Sequence, residues 1–294
     1  MLERVLKAYK RLSVVVFGRI ADIVMPGFKP MQAHIRNANI KILLKTWVCM
    51  LFMTGFLSYL FTIIVVLALN AVLALEEMFL IYLVFAPVMV ASFSFIILYI
   101  YPIEREKSRM NNINNNLPFA VTHMAAIASA GIPPESMFKL LIRFKEYGEI
   151  AEESRNVVRN IKTFGMSSVN ALKDAASKTP SQPFKELLMG ITSTIETGGD
   201  LIRYLNELSE KALFEYRIKR EKYLKTLSTY ADIYTALLVA APLMFLALLA
   251  TMSIIGGDIM GLGIPELIFL ITWVVLPLMN IGFLVFVHVT YPGV

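Results

Sequence analysis

Charged residues are scarce in this chain: they make up 17% of 294 residues, against 57% apolar, and the mean hydropathy is +0.64. An ordinary soluble domain has an apolar share nearer half and about a quarter of its residues charged. The composition therefore excludes that class and indicates an integral membrane protein. Cysteine is nearly absent too. Cys49 stands alone, which excludes an intrachain disulfide and a cysteine metal cluster. The phosphate-binding pattern GxxxxGK[ST] is missing, so the chain is not expected to be a P-loop ATPase. Its three histidines, His34, His123 and His288, are far apart and have no carboxylate at helical spacing, so no metal site is expected. Ile255, Gly256, Gly257 and Asp258 approach the GxGD pattern of intramembrane aspartyl proteases, but the first glycine is absent. No catalytic residue, cofactor or metal is expected.

Charge is absent altogether from four windows, residues 46–75, 78–103, 233–257 and 267–294. About 20 apolar helical residues cross a bilayer core of about 30 Å, so each window can span. The expected spans are about 46–72, 79–102, 233–256 and 267–290, arranged as two hairpins. None carries an ionisable group at mid-depth or a paired glycine break, features that transporters use. Residues 1–45 hold no long apolar run with a small-residue cleavage site, so no cleaved signal peptide is expected.

Basic residues are distributed in one pattern only. Residues 1–45 carry nine Lys or Arg and residues 104–232 carry nineteen, while the turns between paired spans carry none. Those turns hold Glu76 and Glu77 in one case and Asp258 and Glu266 in the other. The positive-inside rule then places residues 1–45, residues 104–232 and both termini in the cytoplasm of a multi-pass protein of the cell membrane. Net charge divides as +7, +3 and −4 between the arm, the central segment and the outer turns. The basic balance thus reflects topology and attraction to anionic lipid, not nucleic acid.

The central segment, 104–232, has the size of a small domain, and its stops and caps mark six helices. The first covers Ile113 to Ala130 and ends at Gly131. Pro133 and Pro134 open a second toward Tyr147 and Gly148. A third runs from Glu149 to Phe164, and a fourth, capped by Ser167 or Ser168, covers Val169 to Ser177. Ser181 or Gln182 precedes a fifth with Pro183 in its first turn. Gly198 and Gly199 end it, and Asp200 caps a sixth with Leu201, Leu205, Leu208, Ala212 and Tyr216 at helical spacing. With no Gly or Pro from Leu201 to Ala241, the sixth helix continues into the third span. The predicted fold is all-α: four transmembrane helices in two hairpins with a six-helix cytoplasmic bundle between spans two and three. Residues 1–45 form a basic amphipathic arm in which Leu2, Val5, Leu6, Tyr9 and Leu12 share a face until Pro26 and Gly27. Such a helix lies at the membrane interface or packs on protein.

Two charge runs are candidate partner-binding faces: Glu146, Glu149, Glu152 and Glu153, and Arg217, Lys219, Arg220 and Lys222. Solvated faces give the same pattern. Gly198, Gly199 and Asp200 read as a helix stop and cap, with a phosphate-cradling turn as the alternative.

Several strings then carry a resemblance. Tyr101 and Pro102 precede a basic stretch, followed by Asn116, Leu117, Pro118, Phe119 and Ala120, then Met124 to Gly131 and Pro133. Thr179, Pro180 and Ser181 follow, then Thr197 to Asp200 with Leu205, and Tyr230, Ala231, Asp232 and Tyr234 before Pro242. Over residues 100–250 the chain resembles the F-domain platform proteins of type II secretion, type IV pilus, Tad and archaellum machines, most closely the archaeal branch. The resemblance implies a non-enzymatic assembly platform. Its partners would be a hexameric secretion ATPase and pilin-like or archaellin-like subunits. Longer archaeal members carry two such domains and this chain has one, so a second copy or a paralogous half is expected. Tyr291 and Pro292 repeat Tyr101 and Pro102. A four-span transporter and a membrane scaffold or sensor are the alternatives.

Overall fold

A computed structural model describes residues 2–73, 79–256, 258–259 and 262–290. Glu76, Glu77 and residues 291–294, including the repeated Tyr291 and Pro292, lie outside them, as do the side chains of Leu2, Val5, Leu6 and Asp258. Among the described residues four helices are long and apolar enough to cross a membrane. Apart from a two-residue antiparallel pair, Asp258–Ile259 with Leu262–Gly263, the described residues are helical or in turns and loops. The chain divides into two units, Met1–Ser209 and Glu210–Val294.

In the first unit, α1 (Leu2–Val24) ends at a 3-10 turn, Met25–Phe28, where Pro26 and Gly27 predict a break. After α2 (Met31–Asn37), α3 (Leu44–Leu73) forms the first span. Its partner α4 (Phe79–Ser129) runs for 51 residues and merges the second span with the first helix of the central segment. Sequence alone predicts a break between them. Pro87, Pro102 and Pro118 lie inside α4 without ending it. Each proline removes one backbone hydrogen bond, but no glycine follows to stop the helix and flanking packing holds it. Trp47 stacks on Tyr101 at 6.1 Å, immediately before Pro102, and Phe52 meets Phe95 at 5.8 Å, between Pro87 and Pro102.

Next come α5 (Pro134–Leu141), α6 (Glu149–Phe164), α7 (Ser168–Lys178), α8 (Gln182–Thr197) and α9 (Leu201–Tyr234). α5 stops earlier than its sequence predicts, because Phe144 turns extended and packs its ring on His123 at 4.4 Å. Ser167 accepts from the Asn170 amide and Ser181 from the Phe184 amide, while Asp200 accepts from the amides of Ile202 and Arg203. Such caps are each worth about 1 kcal/mol. Gly198 closes α8 in the left-handed region with φ 69°, which a side chain would strain. One core joins these helices: Ile113, Val121 and Met124 of α4, Phe138 and Leu141 of α5, Ile150 and Val157 of α6, Leu172 of α7, Leu188 and Ile191 of α8, and Leu205 of α9.

Gly190 sets how closely α8 and α9 approach. A Cβ there would overlap the hydroxyl end of Tyr204, so the ring must swing away from the core it borders. Gly190→Ala is expected to cost about 1–3 kcal/mol, the usual range for overpacking. The check is the apparent melting temperature of the full chain in mild detergent. Placed on Tyr204→Ala, the same change should cost far less.

In the second unit, the last part of α9 leads into a π-helical turn, Thr235–Ala240, and then α10 (Ala241–Ile255). The return helix is built alike: α11 (Ile264–Leu270), a π turn at Ile271–Val275, and α12 (Leu276–Thr290). Each π turn ends two residues before a proline, Pro242 and Pro277, whose missing N–H leaves an upstream carbonyl without its usual partner. Tyr234 donates to Asn280 Oδ1 at 3.1 Å and its ring meets Phe283 at 5.3 Å.

Candidate functional site

Four acidic and four basic residues are the sequence-derived candidates, and the structure distributes them unequally. α6 begins at Gly148, with φ 51°, where a Cβ would collide with Asn112 of α4. That close approach lets Asn112 Oδ1 accept from the Glu149 amide at 2.8 Å, capping α6 from outside. The same approach delivers Glu149 and Glu153, one turn apart, onto Arg105 and Arg109, also one turn apart. Arg105 Nη2 donates to Glu149 Oε1 at 2.8 Å and Arg109 Nε to Glu149 Oε2 at 3.2 Å. Arg109 also pairs with Glu153, and the two are only 2% and 3% exposed.

Arg109 reaches a third element as well. Its Nη1 donates to the carbonyl of Asn37 at the end of α2. One turn earlier on α4, Glu106 accepts from Asn37 Nδ2 at 2.8 Å and meets His34 Nδ1 at 2.5 Å. α2, α4 and α6 are thus tied through one buried guanidinium. Burial pulls Arg109 below the usual arginine range and Glu149 pushes back; a guanidinium stays charged throughout. Arg105, Glu106, Arg109, Asn37 and His34 are functional candidates that the sequence reading missed. The available signal was the matched spacing of Arg105 with Arg109 and Glu149 with Glu153.

The other acidic candidates face outward. Glu146 is exposed, and Glu152 pairs with Arg155 on its own helix. Arg217, Lys219, Arg220 and Lys222 are all exposed along α9, in the second unit, whereas the acidic run belongs to the first. Pro118 lies inside α4, Pro133 is the extended residue before α5, and Gly131 follows α4 with φ 76°. Gly198, Gly199 and Asp200 form a stop and a cap. Among the described residues no group of three His, Cys, Asp or Glu could hold a metal ion.

Four apolar spanning helices and a core-forming helical segment between them define a multi-pass, all-helical membrane protein. Residues 120–249 match the family model described as Type II secretion system (T2SS), protein F. Curated relatives include an uncharacterized protein of Methanocaldococcus jannaschii, 23% identical over 199 residues, covering 67% of this chain and 33% of that protein. Flagella accessory protein J of Methanococcus voltae is 25% identical over 137 residues, covering 46% of this chain and 25% of that protein. The Methanocaldococcus jannaschii protein of the same name is 24% identical over 137 residues, 46% of this chain and 24% of that protein. The chain spans a quarter to a third of the length of the curated relatives it matches. No solved structure matches the chain.

Proposed function

We propose that this protein is an assembly platform of the cell membrane for a type IV pilus, archaellum or related filament, coupling a cytoplasmic hexameric ATPase to pilin-like subunits. The observation that carries this reading is the placement of the matched domain. The protein F match begins in α4 beyond the second apolar window and ends in the third. A helical domain strung between two membrane hairpins has the connectivity needed to pass motion from a soluble motor to the bilayer. The relatives named flagella accessory protein J support the filament side of the reading. The role is structural rather than catalytic.

In this reading residues 1–45, residues 104–232 and both termini are cytoplasmic, as the basic bias requires. A second copy or a paralogous half completes the platform. The motor docks on exposed charge, namely Glu146 and Glu152 on the first unit and Arg217, Lys219, Arg220 and Lys222 on α9. Glu149 and Glu153 hold α6, and with it Glu152, in place through Arg105 and Arg109.

Affinity purification of the tagged chain from its host in mild detergent, with crosslinking and mass spectrometry, tests the reading. The expected result is a hexameric secretion ATPase crosslinked within residues 104–232, together with a pilin-like subunit. Recovery of neither in controlled repeats would overturn the coupling and leave a domain-family assignment.

A further inference from the structure

The second hairpin has two π turns, and both helices are interrupted at neighbouring levels. On one side of the turns, Tyr230 of α9 meets Phe286 of α12 at 5.7 Å, and Tyr234 meets Phe283 at 5.3 Å while donating to Asn280 Oδ1 at 3.1 Å. The chain before the first turn, Thr235–Ala240, thus pairs antiparallel with the chain after the second, Ile271–Val275. Tyr234 stands immediately before the first turn, and its partner Asn280 lies five residues, or about 7.5 Å, past the end of the second. On the other side α10 packs on α11, and the backbone pairs Asp258 with Gly263 and Ile259 with Leu262 join the two.

A kink in one helix of a pair is ordinarily braced by a regular helix alongside. Here neither helix runs regularly through this level. Each interruption has the same cause. Pro242 offers no N–H to the Leu238 carbonyl and Pro277 none to the Trp273 carbonyl, and each ring crowds that carbonyl. Leu238 and Trp273 lie inside the two π turns, where the wider turn relieves the crowding. π turns and prolines are the usual sites of helix bending, and this hairpin has both in both of its helices.

One side chain ties the near edges of the two turns. Asn280 Oδ1 accepts from Tyr234, the last residue before the first turn, and Asn280 Nδ2 donates at 2.9 Å to the carbonyl of Leu276, the first residue after the second. We infer that α10 and α11 swing as one body against the pair formed by α9 and α12, hinged at the two π turns, with Asn280 as the positioning residue that keeps the hinge from spreading into that pair. The motion belongs to the hairpin itself and does not rest on the platform reading.

The test uses the full chain in phospholipid vesicles, in a Cys49→Ala background, with pairs of nitroxide labels and distances read by pulsed electron paramagnetic resonance. Labelled chains are diluted with unlabelled ones so that only distances within one chain are read. Leu224→Cys on α9 with Leu248→Cys on α10 spans the hinge, and Leu224→Cys with Leu278→Cys on α12 stays on one side of it. The three positions are 54%, 60% and 70% exposed. The expected result is a broader distance distribution for the first pair than for the second. Pro242→Ala with Pro277→Ala lets both carbonyls regain their helical bonds and should remove the excess width. Asn280→Leu, with both prolines kept, should increase it. Equal widths for the two pairs with prolines and Asn280 intact would overturn the hinge, and so would excess width that survives replacement of both prolines. Unchanged width in Asn280→Leu would overturn the role given to Asn280.

Discussion

Arg109→Met is expected to remove about 3–5 kcal/mol from the stability of the first unit, the cost of breaking a buried ion pair by deleting one partner. The arginine is 2% exposed and Glu153 3%, so the carboxylate left behind can neither reach water nor find another cation. Arg105 already serves Glu149 from a more exposed position. The Asn37 carbonyl loses its donor as well, and that releases the turn after α2, where Asn39 holds a positive φ of 55°. Two measurements check this. The apparent melting temperature of the full chain in mild detergent should fall, and proteolysis between α2 and α3 should accelerate. Converting the whole cluster, Arg109→Met with Glu149→Met and Glu153→Leu, should recover most of the loss, because apolar side chains of similar size replace a buried charge network at little cost. If the single change proved as mild as a surface substitution, the buried cluster would not be the tie between these elements.

Reversing Lys219, Arg220 and Lys222 together to glutamate is expected to abolish filament assembly while leaving the protein in the membrane. All three are exposed on α9, so the folded chain loses little. Exposed charges contribute a few tenths of a kcal/mol to stability, but juxtaposed like charges cost a docking interface several. Membrane fractionation and filament counts separate the two effects. Normal filaments on cells carrying the triple variant would remove this face from the motor contact.

What the sequence discloses here follows from how local the cause is. Charge gaps disclose the spans because burial in lipid is felt residue by residue. Gly131, Gly198 and Asp200 disclose helix ends because caps are set within a turn. The unbroken α4 is not legible, since Pro102 reads locally as the end of the second span and only packing by residues such as Trp47 overrides it. The early end of α5 depends on Phe144 meeting His123, a contact twenty-one residues distant in sequence. The acidic run reads as a surface feature, yet one side of it turns inward. Glu149 and Glu153 find Arg105 and Arg109 forty or more residues away, and no local pattern announces that pairing. The amphipathic pattern of α1 likewise leaves its partner open until Tyr9 is seen on Thr54.

The π turns before Pro242 and Pro277 change how the last two spans are numbered against their surroundings. A π turn holds about one residue more than the α turn it replaces. Side chains beyond it are therefore rotated by about 100° relative to an uninterrupted helix. Helical wheels drawn straight through Thr235–Ala240 or Ile271–Val275 assign the wrong residues to each face beyond the turn. Sliding such a turn along the helix screws the far segment by one residue without unfolding it, so both helices of the second hairpin carry a built-in phase joint within the hydrocarbon layer.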